Sequence, residues 1–181
     1  MTTILIGNFS IEKSIEILER TPIVLSQLLN GLSADWTTEN EGGETWSAYD
    51  VIGHLIQGEK TDWMVRLELI LSTDPDKHFA PFNRFAQFEN SRGKSLQQLL
   101  EEFKEKRMSN LQKLRALNIT SNDLNKKGIH PTFGEVTLSQ LISTWVVHDL
   151  DHLSQISRVM AKQYKEEVGP WIEFLKVLRV S

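Results

Sequence analysis

Residues 138–160, LSQLISTWVVHDLDHLSQISRVM, have the periodicity of a long amphipathic helix. Residues spaced alternately by three and four positions share one helical face, and here that face carries Leu138, Leu141, Trp145, His148, His152, Gln155 and Val159. A flanking row makes the face mostly apolar, with Ile142, Val146, Leu153, Ile156 and Met160. The stretch therefore predicts a helix that turns its apolar face, together with two histidines, into the core of the protein.

Three other segments show helical periodicity, and each of the four has a capping residue at its start. The predicted helices span residues 10–30, 47–71, 95–117 and 137–164, with Ser10, Ser47, Ser95 and Thr137 as N-caps and with Asp50 and Gln140 completing capping boxes. Pro22 predicts a kink or break in the first helix near Thr21. Pro170 predicts the first turn of a short C-terminal helix. We expect the segments between these helices to be loops.

No segment has the sustained period-two alternation of a strand. The pattern therefore predicts an all-α fold, a four-helix bundle with a short extra C-terminal helix, as one domain over residues 1–181. The apolar face of the second helix is predicted to carry Ala48, Val51, Ile52, Leu55, Ile56, Val65, Leu69 and Ile70. Four tryptophans are expected in the core or in a pocket wall, namely Trp46, Trp63, Trp145 and Trp171.

The composition is that of an ordinary globular protein, with a net charge of −4 and scattered lysines and arginines. Neither nucleic acid nor a membrane is therefore predicted as a partner. The chain has no cysteine, which excludes disulfides, cysteine nucleophiles and cysteine-ligated zinc. The opening residues lack the features of a signal peptide, and no apolar run approaches the roughly 18 residues of a membrane span. We therefore expect a cytoplasmic protein.

A third histidine, His54, lies among apolar residues in the middle of the second predicted helix. His148 and His152 are four residues apart, which places their Cβ atoms about 5–6 Å from each other and lets both imidazoles reach one metal ion. Because an unpaired polar group in a core costs roughly 1–3 kcal/mol, neighbouring buried histidines need a shared partner. His54, His148 and His152 predict a divalent metal site, and three protein ligands with an open fourth position are typical of catalysis. Gly58 indicates close approach of a neighbour or a ligand beside it.

The same residues allow simpler interpretations. Each histidine could be a hydrogen-bonded core residue, and His78 and His130 are predicted in loops, although His130 could reach the mouth of a pocket. Asp149 is a candidate acceptor for the N–H of a metal-bound imidazole, whereas Asp151 is expected in solvent. Glu59 is a candidate for supporting the site or for pairing within the bundle.

Three segments resemble the DinB family and its YfiT-like group: TWSAYDVIGHLIQGE (45–59), HPTFGEVTLSQLISTWVVHDLDHLSQISR (130–158) and YKEEVGPWIEFLKVL (164–178). The resemblance extends over residues 11–178, and its motifs are W-S before the first histidine, F-G-x-V-T-L, and H-D-x-x-H-x-x-Q. It implies an up-down-down-up four-helix bundle, often a homodimer, with a divalent metal, Zn or Ni, at His54, His148 and His152. Gln155 also matches, without an assigned role.

The resemblance also implies a small-molecule substrate and three kinds of chemistry. Some relatives are thiol S-transferases that use low-molecular-weight thiols, others are thiol-dependent isomerases, and many are described as hydrolases. Here the thiol would have to be a cosubstrate, because the chain has no cysteine. A hydrolase would need a general base near the metal, and no unambiguous carboxylate is placed there, which favours thiol transfer. The alternative is a non-catalytic metal- or ligand-binding module, whose site Asp149 or His130 would close as a fourth ligand.

Overall fold

The computed structural model describes residues 9–179, so most of the opening segment used to judge the signal peptide, residues 1–8, lies outside it. The helices are α1 (Ile11–Leu29), α2 (Ala34–Thr38), α3 (Ala48–Thr61), α4 (Trp63–Leu71), α5 (Ala86–Ser91), α6 (Leu96–Ala116) and α7 (Leu138–Lys162). Strands β1 (Lys127–His130) and β2 (Gly134–Thr137) pair antiparallel, and 3₁₀ segments span Asp123–Asn125, Gly169–Phe174 and Lys176–Leu178. Within the described range, no helix is long and apolar enough to cross a membrane.

The four predicted long helices are confirmed, with α3 and α4 together forming the second. Each begins at the predicted cap, because the side chains of Ser10, Ser47, Ser95 and Thr137 accept hydrogen bonds from backbone N–H groups of the first turn. Such a cap stabilises a helix by about 1 kcal/mol. The helices α1 and α3 each pack against both α6 and α7, so the four long helices form the expected all-α bundle.

The second helix differs from its prediction at Asp62, where the backbone turns to φ −119° and ψ −76°. This break shifts the helical phase, and Val65, predicted in the core, is 53% exposed. The connections also hold structure that was predicted as loop. Helices α2 and α5 and the β1–β2 hairpin are too short for their periodicity to show in the sequence. The C-terminal segment is 3₁₀ rather than α-helical, and Trp171 in it is exposed, not a core residue.

The prediction near Thr21 was a kink or a break, and the break does not occur, because α1 continues through Pro22. Proline has no N–H, so the carbonyl of Leu18 loses its helical donor. The guanidinium of Arg107 supplies the missing donor, with Nη1 2.8 Å from the Leu18 oxygen. A side chain from α6 therefore satisfies the backbone group that the proline leaves open.

Arg107 is completely buried at the centre of what we call the Arg107 network, which comprises Arg107, Glu59, Asp149, Asn110 and Trp145. Its Nε and Nη2 donate to Glu59 Oε1 at 3.0 and 2.9 Å, and Nη1 and Nη2 donate to the two Asp149 oxygens. Asn110 and the Trp145 indole also donate to Glu59. The network ties α3, α6 and α7 together between two apolar clusters, one around Trp63 and Leu111 and one around Ile52 and Phe103.

Candidate metal centre

His54 on α3 and His148 and His152 on α7 meet in the bundle interior. The Nε2 atom of His148 lies 3.1 Å from Nε2 of His54 and 3.1 Å from Nε2 of His152. One ligand atom from each of the three residues lies within 4.8 Å of the others. His54 and His152 are buried, and His148 is partly buried. The predicted histidines are therefore brought together, with three ring nitrogens converging on one point.

Two glutamines set the orientation of two of these rings. Nδ1 of His54 lies 3.2 Å from Gln87 Oε1, and Nδ1 of His152 lies 2.7 Å from Gln155 Oε1. Because a carbonyl oxygen only accepts, each Nδ1 carries the proton, and each Nε2 lone pair is left facing the centre of the cluster. Gln155 thereby gains the role that the sequence left open.

The three imidazoles are neutral at pH 7. Burial, and secondarily the neighbouring His152, lowers the pKa of His54 to about 4. Burial together with His152 and His54 lowers the pKa of His148 to about 2, and burial also lowers the pKa of His152. Neutral imidazole is the form that binds a metal ion, so the three rings already have the charge state that metal binding needs.

Aromatic side chains form the wall around the cluster. The Trp46 ring packs on His54 with 4.8 Å between ring centres, and the Trp63 ring meets His148 edge-on at 5.0 Å. A methyl group on Gly58 would lie 3.0 Å from Trp63 Nε1. The close approach predicted at Gly58 is therefore made by a neighbouring side chain, the indole of Trp63.

The cluster lies at the base of a pocket of about 490 Å³ that opens to solvent. The pocket is lined by Glu41, Glu44, Thr45, Trp46, His54, Arg84, His148, His152, Gln155 and Arg158. Glu41 is held by Arg158 at 2.9 Å and by Lys162 at 2.8 Å, and the Arg158 guanidinium is the main reason that its pKa is lowered to about 2. The pocket lining therefore carries both acidic and basic side chains, and the Glu41 carboxylate is already paired with two cations.

A divalent metal fits this donor set. Three nitrogens around a tetrahedral Zn²⁺ at about 2.05 Å would lie about 3.3 Å apart, close to the 3.1 Å observed for two of the three pairs, His54–His148 and His148–His152. No cysteine or carboxylate joins the cluster within the described residues. Nitrogen donors of this kind suit Zn, Ni, Cu or Fe rather than Mg or Ca.

The acidic residues considered as partners of the metal site lie outside the histidine cluster. Asp149 is not an acceptor for an imidazole N–H, because its carboxylate is fully buried against Arg107. Glu59 pairs within the bundle through the same guanidinium, and Asp151 is exposed as expected. His130 is not part of the cluster, and its Nδ1 accepts from the backbone of Thr132.

Two residues that determine the surroundings of the histidines were not predicted from the sequence, Gln87 and Arg107. Gln87 reaches His54 because α5 packs tightly on α3 at Gly53, where a methyl group would lie 2.5 Å from Ser91 Oγ. The sequence feature that indicates this close packing is Gly53, directly before His54. Arg107 occupies the apolar stripe of α6 between Phe103 and Leu111. A charged residue on such a stripe indicates a buried ion pair.

The comparisons with known proteins agree with this architecture. The family model of the DinB superfamily matches residues 17–156. The structure of YfiT from Bacillus subtilis, described as a probable metal-dependent hydrolase with an unusual four-helix bundle topology, matches with a TM-score of 0.74 at 18% sequence identity over 91% of this chain and 93% of YfiT. Among curated proteins, no sequence matches. The structural likeness confirms the fold class, and the family match extends over most of the chain, which therefore belongs to the DinB superfamily.

Proposed function

We propose that this protein is a metal-dependent enzyme in which His54, His148 and His152 bind one divalent ion, Zn or Ni. The observation that carries the proposal is the convergence of three neutral imidazoles at the base of an open pocket. A metal there would lower the pKa of a thiol or a water molecule in its open coordination position. Gln87 and Gln155 orient two of the histidine ligands. Trp46 and Trp63 shield the cluster from water where they pack on it, and the opening of the pocket admits a small molecule.

Between thiol and water, the pocket favours a thiol cosubstrate. Hydrolysis by an activated water needs a general base within hydrogen-bond reach. Glu41, with its pKa near 2, is a weak base and is bound by two cations. Asp149 is sealed in the Arg107 network. Glu44 also lines the pocket, but it is exposed to solvent and accepts no hydrogen bond from the three histidines. Because a free thiol has a pKa of about 8.5 and water a pKa of about 15.7, a metal-bound thiol loses its proton to solvent more readily and depends less on such a base, which supports S-transfer as the reaction.

A closed, purely structural site is less compatible with the geometry. The fourth ligand considered for a non-catalytic module was Asp149 or His130. Asp149 is engaged by Arg107, and His130 lies in strand β1, outside the cluster. A metal bound by the three histidines would therefore find no fourth side-chain ligand among the described residues, which supports an open, catalytic site.

The experiment that tests the proposal compares metal-loaded and metal-free protein. Zn- or Ni-loaded protein is mixed with a panel of low-molecular-weight thiols and monochlorobimane, and conjugation is followed by fluorescence. We expect thiol-dependent conjugation above the spontaneous rate that is lost on chelation. Hydrolysis of 4-nitrophenyl esters by the loaded protein without any thiol would instead assign water as the nucleophile. A loaded protein that does neither would support the non-catalytic module.

Replacing Gln155 with leucine should weaken metal binding by roughly 10–100-fold, because His152 then loses the acceptor that fixes its tautomer and ring orientation. Competition with a chromophoric zinc chelator measures the affinity. Gln97→Leu on the exposed face of α6 is the matched control, since Gln97 contacts only Glu101 by its side chain. An affinity for Gln155→Leu within twofold of the wild type would show that the His152–Gln155 bond does not support the site.

A further inference from the structure

Arg84 differs from the other arginines of the chain. Seven arginines donate to a carboxylate or a backbone carbonyl, namely Arg20, Arg66, Arg92, Arg107, Arg115, Arg158 and Arg179. Among residues 9–179, Arg84 is the one arginine left without such an acceptor. A guanidinium carries five N–H donors in a planar fork that matches a carboxylate, so the unpaired donors of Arg84 form an available anion-binding group.

Aromatic rings hold this guanidinium on the wall of the metal pocket. Its Cζ lies 5.5 Å from the ring centre of Trp46 and 5.2 Å from that of Phe85, both within the range of cation–π attraction. The Trp46 ring in turn packs on His54 at 4.8 Å. Arg84 and the histidine cluster therefore line one pocket with a single indole between them.

The acids of the pocket do not neutralise Arg84. Glu41 forms its ion pairs with Arg158 and Lys162. Glu44 lines the pocket but is exposed, and no ion pair joins it to Arg84 within the described residues. Arg158 is also basic and lines the pocket, but its Nε and Nη2 donate to Glu41, whose carboxylate balances its charge. Arg84 is thus the basic group of this pocket that has no carboxylate partner among the described residues.

We propose that Arg84 is a specificity-determining residue that binds a carboxylate of the thiol cosubstrate, so that the preferred substrates are small thiol acids. The proposal rests on the proposed function, because it requires the sulfur end of the same molecule to occupy the histidine cluster. A carboxylate accepting two parallel N–H bonds from Arg84 would anchor the far end of the molecule and direct its sulfur toward the base of the pocket.

The test uses protein loaded with Co²⁺, whose near-ultraviolet charge-transfer band reports a bound thiolate. The probes are 6-mercaptohexanoic acid and 6-mercaptohexanamide, which differ in the charge at the far end. The wild type is expected to bind the acid about fivefold more tightly than the amide, as an ion pair with an exposed arginine allows. Arg84→Gln should lose this preference through weaker binding of the acid, with unchanged affinity for the amide and unchanged cobalt content.

Two further variants separate a specific contact from a general charge effect. Arg84→Lys keeps the charge without the fork and should retain part of the preference. Arg92→Gln removes the same charge from an exposed site paired with Glu89 and should keep all of it. Equal binding of acid and amide by the wild type, or a preference that survives in Arg84→Gln, would overturn the anion site while leaving the metal centre intact. A wild type that binds no cobalt, or binds cobalt but no thiol, would contradict the proposed function and the anion site with it.

Discussion

His148→Ala is expected to reduce the metal content of the purified protein from near one ion per chain to near zero. His148 is the central member of the cluster, since its Nε2 is the atom within 3.1 Å of both other Nε2 atoms. Removing it leaves two imidazoles, too few for the three-ligand site that divalent metals occupy in catalytic centres. Elemental analysis of protein prepared without a metal-affinity tag measures the loss.

The metal-free His148→Ala protein should remain folded, which keeps the result interpretable. Nδ1 of His148 is buried without a hydrogen-bond partner among the described residues, and removing an unpaired polar atom relieves its desolvation cost. Circular dichroism checks the fold. His130→Ala is the matched control, because His130 lies outside the cluster, and it should keep the full metal content. Metal retained by His148→Ala, or absent from the reconstituted wild type, would disprove the three-histidine site.

Arg107→Met is expected to destabilise the protein by about 3–5 kcal/mol, the effect of breaking a fully buried ion pair from one side. The substitution leaves the carboxylates of Glu59 and Asp149 at 0% side-chain exposure without their cation. It also removes the donor to the Leu18 carbonyl, which Pro22 cannot replace. Urea unfolding followed by circular dichroism measures the free energy of unfolding.

Two comparisons test whether the destabilisation by Arg107→Met comes from leaving buried charges without a partner. Arg115→Ala breaks an exposed pair with Glu19 and should cost less than about 1 kcal/mol. Adding Glu59→Gln and Asp149→Asn to Arg107→Met removes the uncompensated charges and should recover part of the lost stability. A loss below 1 kcal/mol for Arg107→Met alone would mean that the network contributes little to stability.

The long helices and their ends were predictable because their signals are local. Caps such as Ser47 and Thr137 act on backbone groups within one turn of themselves, and the apolar stripe of α7 repeats with the helical period. Elements of three to six residues, such as the β1–β2 hairpin, are shorter than the window in which periodicity can be recognised. The break at Asp62 also escaped prediction, because the stripe continues on both sides of it.

The sequence by itself determined the four long helices and the inward face of α7 with His148 and His152, since each follows from spacing along one helix, and it placed His54 among the apolar residues of a second helix. Only the tertiary structure decided which groups surround them. Gln87 lies 33 positions along the chain from His54 and bonds its Nδ1. Arg107 pairs with the Asp149 carboxylate that was predicted to support the site, and the Arg84 guanidinium lies over Trp46 without a carboxylate partner among the described residues. These contacts join residues far apart in the chain, and the free energy that selects them comes from packing between helices, which no local pattern contains.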